Sequence, residues 1–485
     1  MGAARSNAGG TNAKINTMKF KLWLRLALIA AAVIALQISA IPQLPRLAYL
    51  QARAFAGAGD HRRAALELDT ALAYEPWSTN YLALSAAEHL ETGDVTTSRR
   101  QLELLAQLRP LTADEVITLA ALRWQQHEPD RAMRVIQDAV SRNALQESDL
   151  RQTIANAFQA RSWWRALAAL HGLVALRPDD NDAQSLLSMV EALLLPDQSA
   201  ATIDALAARD PRWGARLDDL RKFIAVRSTF APETADTRLG AIYIGLNQYE
   251  LADDVLTRAV NRNPAFGEAL AYLAFAHAKL HRPALGIMQQ AIALAPNSPL
   301  TRIMVGLTWK TLGRNNEARA EFERAYALDP TNPSTALEIA NTHRAQSSSA
   351  FAEVWLKEAV RLSGGDLRFR IVLAQFYVDD NYRVLDAGLP FAQQLVLDAP
   401  DSAEAHDALG WAYFLLGGLD RAAEQLARAL TLDPTLARIH LHRGALLEAQ
   451  GNSADAINEY HRAAELDPDG AFGTLAIRAL ERLNP

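Results

Sequence analysis

Apolar residues recur along most of the chain with the spacing of one helical face, and prolines end these stretches at regular intervals. The helix-ending prolines are Pro76, Pro110, Pro178, Pro211, Pro264, Pro296, Pro330, Pro400, Pro434 and Pro468. Several neighbours in this series are 34 residues apart, as Pro296 and Pro330 are, and Pro110 and Pro178 are 68 apart. Proline stops a helix because it lacks an N–H group and disfavours a helical residue before it. The pattern predicts a repeated pair of helices of nearly constant length.

Small and large residues alternate at fixed places within the period. Gly306, Ala318 and Ala325 precede Pro330 by 24, 12 and 5 residues, and Phe322 lies between the two alanines. The same places before Pro434 hold Gly410, Ala422, Leu426 and Ala429. Small residues are needed where two helix backbones approach closely, and large ones fill the space beside them. The two helices of each repeat are therefore predicted to cross closely.

These columns strongly resemble the tetratricopeptide repeat family, whose helix–turn–helix unit has 34 residues. The resemblance covers nearly everything after residue 45 and implies an all-α fold, an α-solenoid of about twelve repeats. The units that match best end at Pro76, Pro264, Pro330, Pro434 and Pro468. The stretch 180–211 is degenerate, the unit ending at Pro296 is two residues short, and the unit ending at Pro400 is two residues long.

One interval is too long for a repeat and divides the array. Pro211 and Pro264 are 53 residues apart, which exceeds one period by 19. We therefore predict an N-terminal array over 46–211, an extra helix or joint over 212–232 and a C-terminal array over 233–470. Residues 471–485 are predicted to be a capping helix that covers the apolar face of the last repeat.

The N-terminal region has the form of a targeting segment. Residues 1–21 are a basic tail, and residues 22–41 are an apolar stretch that predicts a transmembrane anchor or a signal sequence. Arginines follow the stretch closely, so the positive-inside rule is nearly tied. The basic, acid-free start favours a cytosolic N-terminus, a single-pass membrane protein and an extracytoplasmic repeat domain, periplasmic or at the cell surface. The alternative is secretion after signal cleavage.

The amino-acid composition excludes several kinds of site. The chain of 485 residues has no cysteine, which excludes thiolate zinc sites, disulfides and a cysteine nucleophile. Residues 1–45 carry five basic groups and no acid, so the rest carries 44 basic and 55 acidic groups, a net charge of −11. Such a body is poorly matched to nucleic acid. No phosphate-binding glycine loop or nucleophile elbow occurs.

No catalytic, cofactor-binding or metal-binding residue is predicted, and the chain is not expected to be an enzyme. The nearest candidate is a histidine pair, His277 and His281, whose spacing places both on one helix face. We expect this pair to be packed or exposed rather than to bind a metal, because no carboxylate lies close in sequence.

The resemblance also implies where partners bind. In the family, the first helices line a concave groove at their second, fifth, ninth, twelfth and thirteenth positions. The predicted partner-binding groove residues are Phe275, Lys279, Leu307, Lys310, Asn341, Arg344, Gln375, Trp411, Phe414, Leu441 and Glu448. Trp411 and Phe414 form an aromatic pair that either anchors a partner or packs against the neighbouring repeat. Leu337 stands where the family's carboxylate clamp needs lysine, so that clamp is expected to be missing.

These features predict a non-catalytic, membrane-tethered scaffold or adaptor that mediates protein–protein interactions, in assembly or export at the cell envelope. Its partners would be peptide segments or subunits of a membrane complex. The alternative is an accessory subunit that presents substrate to a separate catalytic partner, as in glycosyltransferase, polysaccharide export or cytochrome maturation machinery. A carbohydrate-binding solenoid ranks last, because exposed aromatic residues are predicted only near Trp411.

Overall fold

The computed structural model describes residues 27–31 and 43–483, and every regular element within them is helical. The prediction of an all-α fold is confirmed. The helices from residue 44 onward are α1 Leu44–Gly57, α2 His61–Tyr74, α3 Thr79–Glu91, α4 Val95–Leu108, α5 Ala113–Gln125, α6 Pro129–Ser141, α7 Glu147–Gln159, α8 Trp163–Leu176, α9 Asn181–Leu194, α10 Pro196–Arg209, α11 Pro211–Val226, α12 Pro232–Gly245, α13 Tyr249–Arg262, α14 Gly267–Lys279, α15 Leu285–Leu294, α16 Pro299–Thr311, α17 Asn315–Leu328, α18 Pro333–Arg344, α19 Ser349–Leu362, α20 Leu367–Asp379, α21 Leu389–Asp398, α22 Ala403–Leu415, α23 Leu419–Leu432, α24 Ala437–Ala449, α25 Ser453–Leu466 and α26 Ala471–Leu483.

The predicted anchor or signal helix, 22–41, lies outside the described residues except for residues 27–31, which are helical. Among the helices that the structure describes, none combines the length and the apolar character needed to cross a membrane. The predicted basic tail, 1–21, also lies outside the described residues.

The helices fall into two compact units, which we call unit 1 (residues up to Arg227) and unit 2 (residues from Ser228). Unit 1 holds five helical hairpins, from α1/α2 to α9/α10, followed by α11. Unit 2 holds seven hairpins, from α12/α13 to α24/α25, followed by α26, which packs on α24 and α25. The domain limits predicted from the repeats remain a prediction.

The two helices of a hairpin touch where the small-residue column of the first meets the large-residue column of the second. A Cβ atom added to Gly306 would lie 2.5 Å from Phe322 Cε1, and one added to Gly444 would lie 2.7 Å from the Tyr460 ring. Phe322 is fully buried in this contact. The predicted close crossing is therefore present, and only glycine fits at these two positions without displacing its neighbour.

A second contact joins four of the first helices to the end of the hairpin before them. The side chain six residues after the helix-ending proline hydrogen-bonds that proline's carbonyl oxygen. The donors and acceptors are Gln184 Nε2 and Pro178 O at 2.6 Å, Arg302 Nε and Pro296 O at 3.1 Å, His406 Nε2 and Pro400 O at 3.0 Å, and His440 Nε2 and Pro434 O at 3.0 Å. A carbonyl can only accept, so each histidine carries its proton on Nε2. These bonds satisfy a carbonyl that the interrupted helix leaves without a backbone partner.

The alternation of first and second helices breaks in unit 1 at α7 and α8. In unit 2, and for α3 and α5 in unit 1, the first helix of a hairpin packs on the hairpin before it. After α6 it is instead α8, a second helix, that packs on α5 and α6. Almost every side of α8 is buried, including Trp163, Leu167, Leu170 and Leu173. An all-round apolar helix is expected at such a central place. The repeat pattern alone did not predict this arrangement.

The repeat that is two residues long is accommodated locally. A π-helix, Val384–Gly388, precedes a shortened α21, and Arg383 before it has a left-handed φ of 49°. A π turn takes up extra residues without extending the hairpin. The surplus near Asp379 therefore does not shift the columns of α22.

Replacing Gly306 by alanine tests the close crossing. The new Cβ would clash with the buried Phe322 ring, so we expect the α16/α17 hairpin to lose about 1–3 kcal/mol. Hydrogen exchange should then show faster opening of α16 and α17 by about fivefold or more. The matched control is Gly286→Ala, because no atom lies within 4 Å of the Cβ added there. Equal exchange in both variants would contradict the crossing.

Candidate functional site

The predicted groove residues all lie on first helices of unit 2, from α14 to α24. Ten of the eleven are half-buried, and Lys279 is exposed. They include Phe275 on α14, Leu307 on α16, Asn341 on α18 and Gln375 on α20. Half-burial leaves part of each side chain in contact with solvent along the line of first helices. We call this line the first-helix surface.

The charged members of the first-helix surface bind neighbouring helices. Lys310 Nζ on α16 donates to Glu338 on α18 at 2.6 Å, and Arg344 Nη2 on α18 donates to Asp380 at 2.6 Å. Glu448 on α24 accepts from Arg482 on α26 at 2.6 Å and from the Tyr460 hydroxyl at 2.8 Å. These charges tie successive hairpins together, so the middle of the surface is less basic than its sequence suggests.

An aromatic stack forms the apolar part of the first-helix surface. The Trp411 ring lies 4.5 Å from the Phe414 ring and 4.1 Å from the His442 ring, measured between centroids. The Trp411 plane is within 11° of the Phe414 plane and within 6° of the His442 plane. Both faces of the indole are therefore covered, and only its edge can contact solvent or a partner. Leu441, by contrast, packs against Tyr460 and Ala476. The structure thus brings Trp411 and Phe414 together and places Leu441 in the contact with the last helices.

Buried charges hold this stack in place. His442 Nδ1 lies 2.7 Å from Asp407 Oδ1, and Arg438 Nε donates to Asp407 Oδ2 at 2.8 Å. Arg438 also reaches Asp379, with Nη2 2.7 Å from Oδ1. Asp407 is fully buried. Burial alone would raise the pKa of Asp407, but His442 and Arg438 hold it below its ordinary value. The carboxylate is therefore charged and fixes the His442 ring against Trp411.

Asp379, Asp407, Arg438 and His442 were missing from the predicted site. A usable signal existed for three of them, because Asp407, Arg438 and Asp379 occupy the fifth, second and thirteenth positions of their first helices, which are groove columns. No such column identifies His442. Its partner Asp407 lies 35 residues away in sequence and is known only from the packing of α22 on α24.

His277 and His281 do not form a metal pair. His277 Nδ1 hydrogen-bonds the Pro283 carbonyl at 3.0 Å, and Nε2 lies 3.1 Å from Asp253 Oδ1. His281 lies in the turn after α14, with a left-handed φ of 55°. The hydrogen bond to Asp253 raises the pKa of His277 above its ordinary value. Across residues 27–31 and 43–483, no three histidine, aspartate or glutamate side chains are placed to share a metal ion.

Unit 1 contains a cavity of about 760 Å³ that the sequence did not predict. It lies between α3, α5 and the start of α8, next to the contact of α8 with α5. Leu90, Leu122 and Trp164 supply apolar wall, and Arg165 pairs with Asp114 at its edge. The volume suits a small ligand or a few residues of a peptide. The signal in the sequence was the tryptophan pair 163–164 at the start of a largely apolar helix.

A buried acid and base lie near this cavity, between α8, α9 and α10. His171 stacks on Trp124 with centroids 4.7 Å apart, and its Nε2 is 3.5 Å from Glu191 Oε1. Thr202 donates its hydroxyl to Glu191 at 2.6 Å. Burial raises the pKa of Glu191 to about 7 and lowers the pKa of His171 to about 4. Both groups are therefore neutral over the interval between these values.

Comparisons with known proteins agree with the repeat pattern. Residues 410–451 match the family described as TPR repeat, and residues 237–266 and 302–332 match the family described as tetratricopeptide repeat. All three segments lie in unit 2. None of the curated protein sequences compared with this chain matches it.

Several solved structures are similar to this chain at low identity. A tetratricopeptide repeat protein from Parabacteroides merdae is 14% identical, with 52% of this chain and 99% of that chain covered and a TM-score of 0.43. Yeast Tom70 is 13% identical, with 91% and 96% covered and a TM-score of 0.41. The Cut9–Hcn1 hetero-tetramer of the APC/C gives 16% identity, 96% and 95% coverage and a TM-score of 0.37.

Replacing Asp407 by alanine tests the buried charge network. The change leaves Arg438 and His442 without their buried acceptor, so we expect a loss of about 3–5 kcal/mol in the α22–α24 region. Hydrogen exchange of the α22 and α24 amides measures this loss. Asp420→Ala is the control, because Asp420 is an exposed acid at the start of α23 and its removal should cost less than about 0.5 kcal/mol. Similar protection in the two variants would contradict the network.

The His171–Glu191 pair predicts opposite pH slopes in two variants. In Glu191→Gln, the remaining His171 binds protons more readily unfolded, so stability should rise as pH increases from about 4 to 6.5. In His171→Gln, the remaining Glu191 binds protons more readily folded, so stability should fall as pH increases from 4.5 to about 7. Each full change is on the order of 3 kcal/mol.

Urea unfolding midpoints across this pH range provide the measurement. In the unaltered chain the two contributions oppose each other, because the pair holds one proton in both the folded and the unfolded state over most of the interval. Its midpoint should therefore depend on pH less than either variant's does. Slopes of the same sign in the two variants would show that the pair is not buried as described.

Proposed function

We propose that this chain, which carries tetratricopeptide repeats, is a non-catalytic scaffold whose first-helix surface in unit 2 binds segments of partner proteins. The observation that carries the proposal is the Trp411–Phe414–His442 stack, set in advance by a buried carboxylate. An anchor that is already ordered loses less conformational entropy on binding. Aromatic side chains at the centre of a surface commonly contribute most of the binding energy.

The charge pattern supports a protein segment with apolar anchors as the partner. Lys310, Arg344 and Glu448 are already engaged in ion pairs within the chain, which leaves the exposed Lys279, whose Nζ lies over the Tyr249 ring, as the most accessible charge. Asn341 and Gln375 remain as amide groups that can bond a partner's backbone. An extended peptide with bulky apolar side chains uses both kinds of group.

We further propose that the scaffold is tethered to a membrane through residues 22–41, with the repeats outside the cytosol, and acts in assembly or export at the cell envelope. The support is the length and apolar character of that segment in the sequence. The acid-free basic residues before it favour a cytosolic N-terminus. Secretion after cleavage remains the alternative, and N-terminal sequencing of the mature protein distinguishes the two.

Photocrosslinking in cells tests the binding surface. A photoreactive residue at Asn341 or at Trp411 should capture the same partner, whereas one at Val354, exposed on the second helix α19, should not. Phe414→Ala should reduce capture from position 341 about tenfold, since loss of an anchor of this kind costs more than about 1 kcal/mol. Equal capture from all three positions, or none, would contradict the proposal. A captured enzyme would favour the accessory-subunit alternative.

A further inference from the structure

The first helix of unit 1 leaves an apolar face open to solvent. Leu44, Leu47 and Leu50 of α1 are 40%, 53% and 51% exposed, whereas Ala48 and Ala52 on the other side are buried against α2. At 100° per residue, Leu44, Leu47 and Leu50 span an arc of about 120°, which also holds the exposed Ala54 and Gln51. Three neighbouring exposed leucines on one arc are more than the scattered apolar residues of an ordinary surface.

Basic residues border this face, and acidic ones are absent from it. Arg46 and Arg53 are exposed on α1 along one edge of the leucine arc. The first acid of the chain is Asp60, so residues 1–59 carry positive charge only, although the chain as a whole is acidic. A helix with leucines on one arc and arginines beside it has the pattern of a helix that lies in a membrane interface. Arginines in such a position are attracted to the phosphates of an anionic lipid surface.

The position of α1 in the chain also favours a place at a membrane surface. The apolar stretch 22–41 ends only three residues before Leu44. Three residues span at most about 11 Å, which is comparable to the depth of the headgroup layer on one side of a bilayer. If residues 22–41 cross a membrane, α1 must begin at its surface, whatever path the intervening residues take.

We propose that α1 lies in the interface of an anionic lipid bilayer, with Leu44, Leu47 and Leu50 among the acyl chains and Arg46 and Arg53 at the lipid phosphates. The inference rests on the proposed membrane tether and adds to it a second, lateral contact. A second copy of the chain is a poorer occupant, because three half-exposed leucines are far less than the roughly 600 Å² per partner that a stable interface buries.

The absence of cysteine makes site-specific labelling simple, because a single introduced cysteine carries the only label. We use three full-length variants, Ala54→Cys, Ala30→Cys and Thr431→Cys, each bearing an environment-sensitive fluorophore. Ala54 lies on the leucine arc, Ala30 lies within the apolar stretch, and Thr431 is exposed on α23 in unit 2. Each is reconstituted into phosphatidylcholine vesicles with or without phosphatidylglycerol, and quencher-labelled lipids report contact with the bilayer.

The expected result is strong lipid quenching at positions 54 and 30 and at least severalfold less at position 431. Quenching at position 54 should fall when phosphatidylglycerol is omitted, while quenching at position 30 should persist. Adding Leu47→Gln and Leu50→Gln should reduce quenching at position 54 severalfold and leave position 30 unchanged.

Other outcomes would overturn the inference and show where it fails. Quenching at position 30 without quenching at position 54 would retain the tether and reject the interfacial helix. No quenching at either position would reject the tether and, with it, this inference. A blue shift at position 54 that depends on protein concentration and not on lipid quencher would assign the leucine face to a second copy of the chain.

Discussion

The close crossing of two helices within each hairpin is the contact on which the rest of unit 2 depends. Gly306 against Phe322 and Gly444 against Tyr460 bring the backbones together at the same place in each repeat. A side chain at either glycine would meet the large residue opposite it, so the close approach depends on the absence of a side chain at this place. The first helices then present the same columns to the same side, which is what makes the first-helix surface continuous.

Several charged groups join one hairpin of unit 2 to the next. Arg344 with Asp380 and Lys310 with Glu338 each join successive first helices, and Asp407 joins α22 to α24 through Arg438 and His442. Buried charges cost solvation energy and stabilise only when fully paired. Here they contribute specificity, since each pair determines which helices are neighbours. The Asp407 pair also fixes the orientation of the His442 ring.

Much of the fold could be predicted from proline spacing and the alternation of small and large residues, because both are local consequences of the hairpin. The columns also placed Trp411 and Phe414 on the correct helix. The side chains that pair with each other could not be predicted. Arg438 and Asp379, for example, are 59 residues apart and meet only because the hairpins pack on one another. The 34-residue spacing likewise does not predict that α8 packs on α5 and α6. Its apolar residues on every side were the relevant signal, and that signal concerns burial rather than order along the chain.

The π-helix at Val384–Gly388 bears on how such an array can evolve. A surplus of two residues is confined to one turn, so the hairpins on either side keep their pairing and their exposed columns. Duplicated repeats can therefore accumulate small insertions while the first-helix surface keeps its register. Repeats can therefore vary in length without loss of the array. Selection can act on such a variant later, if its bulged turn gains a contact.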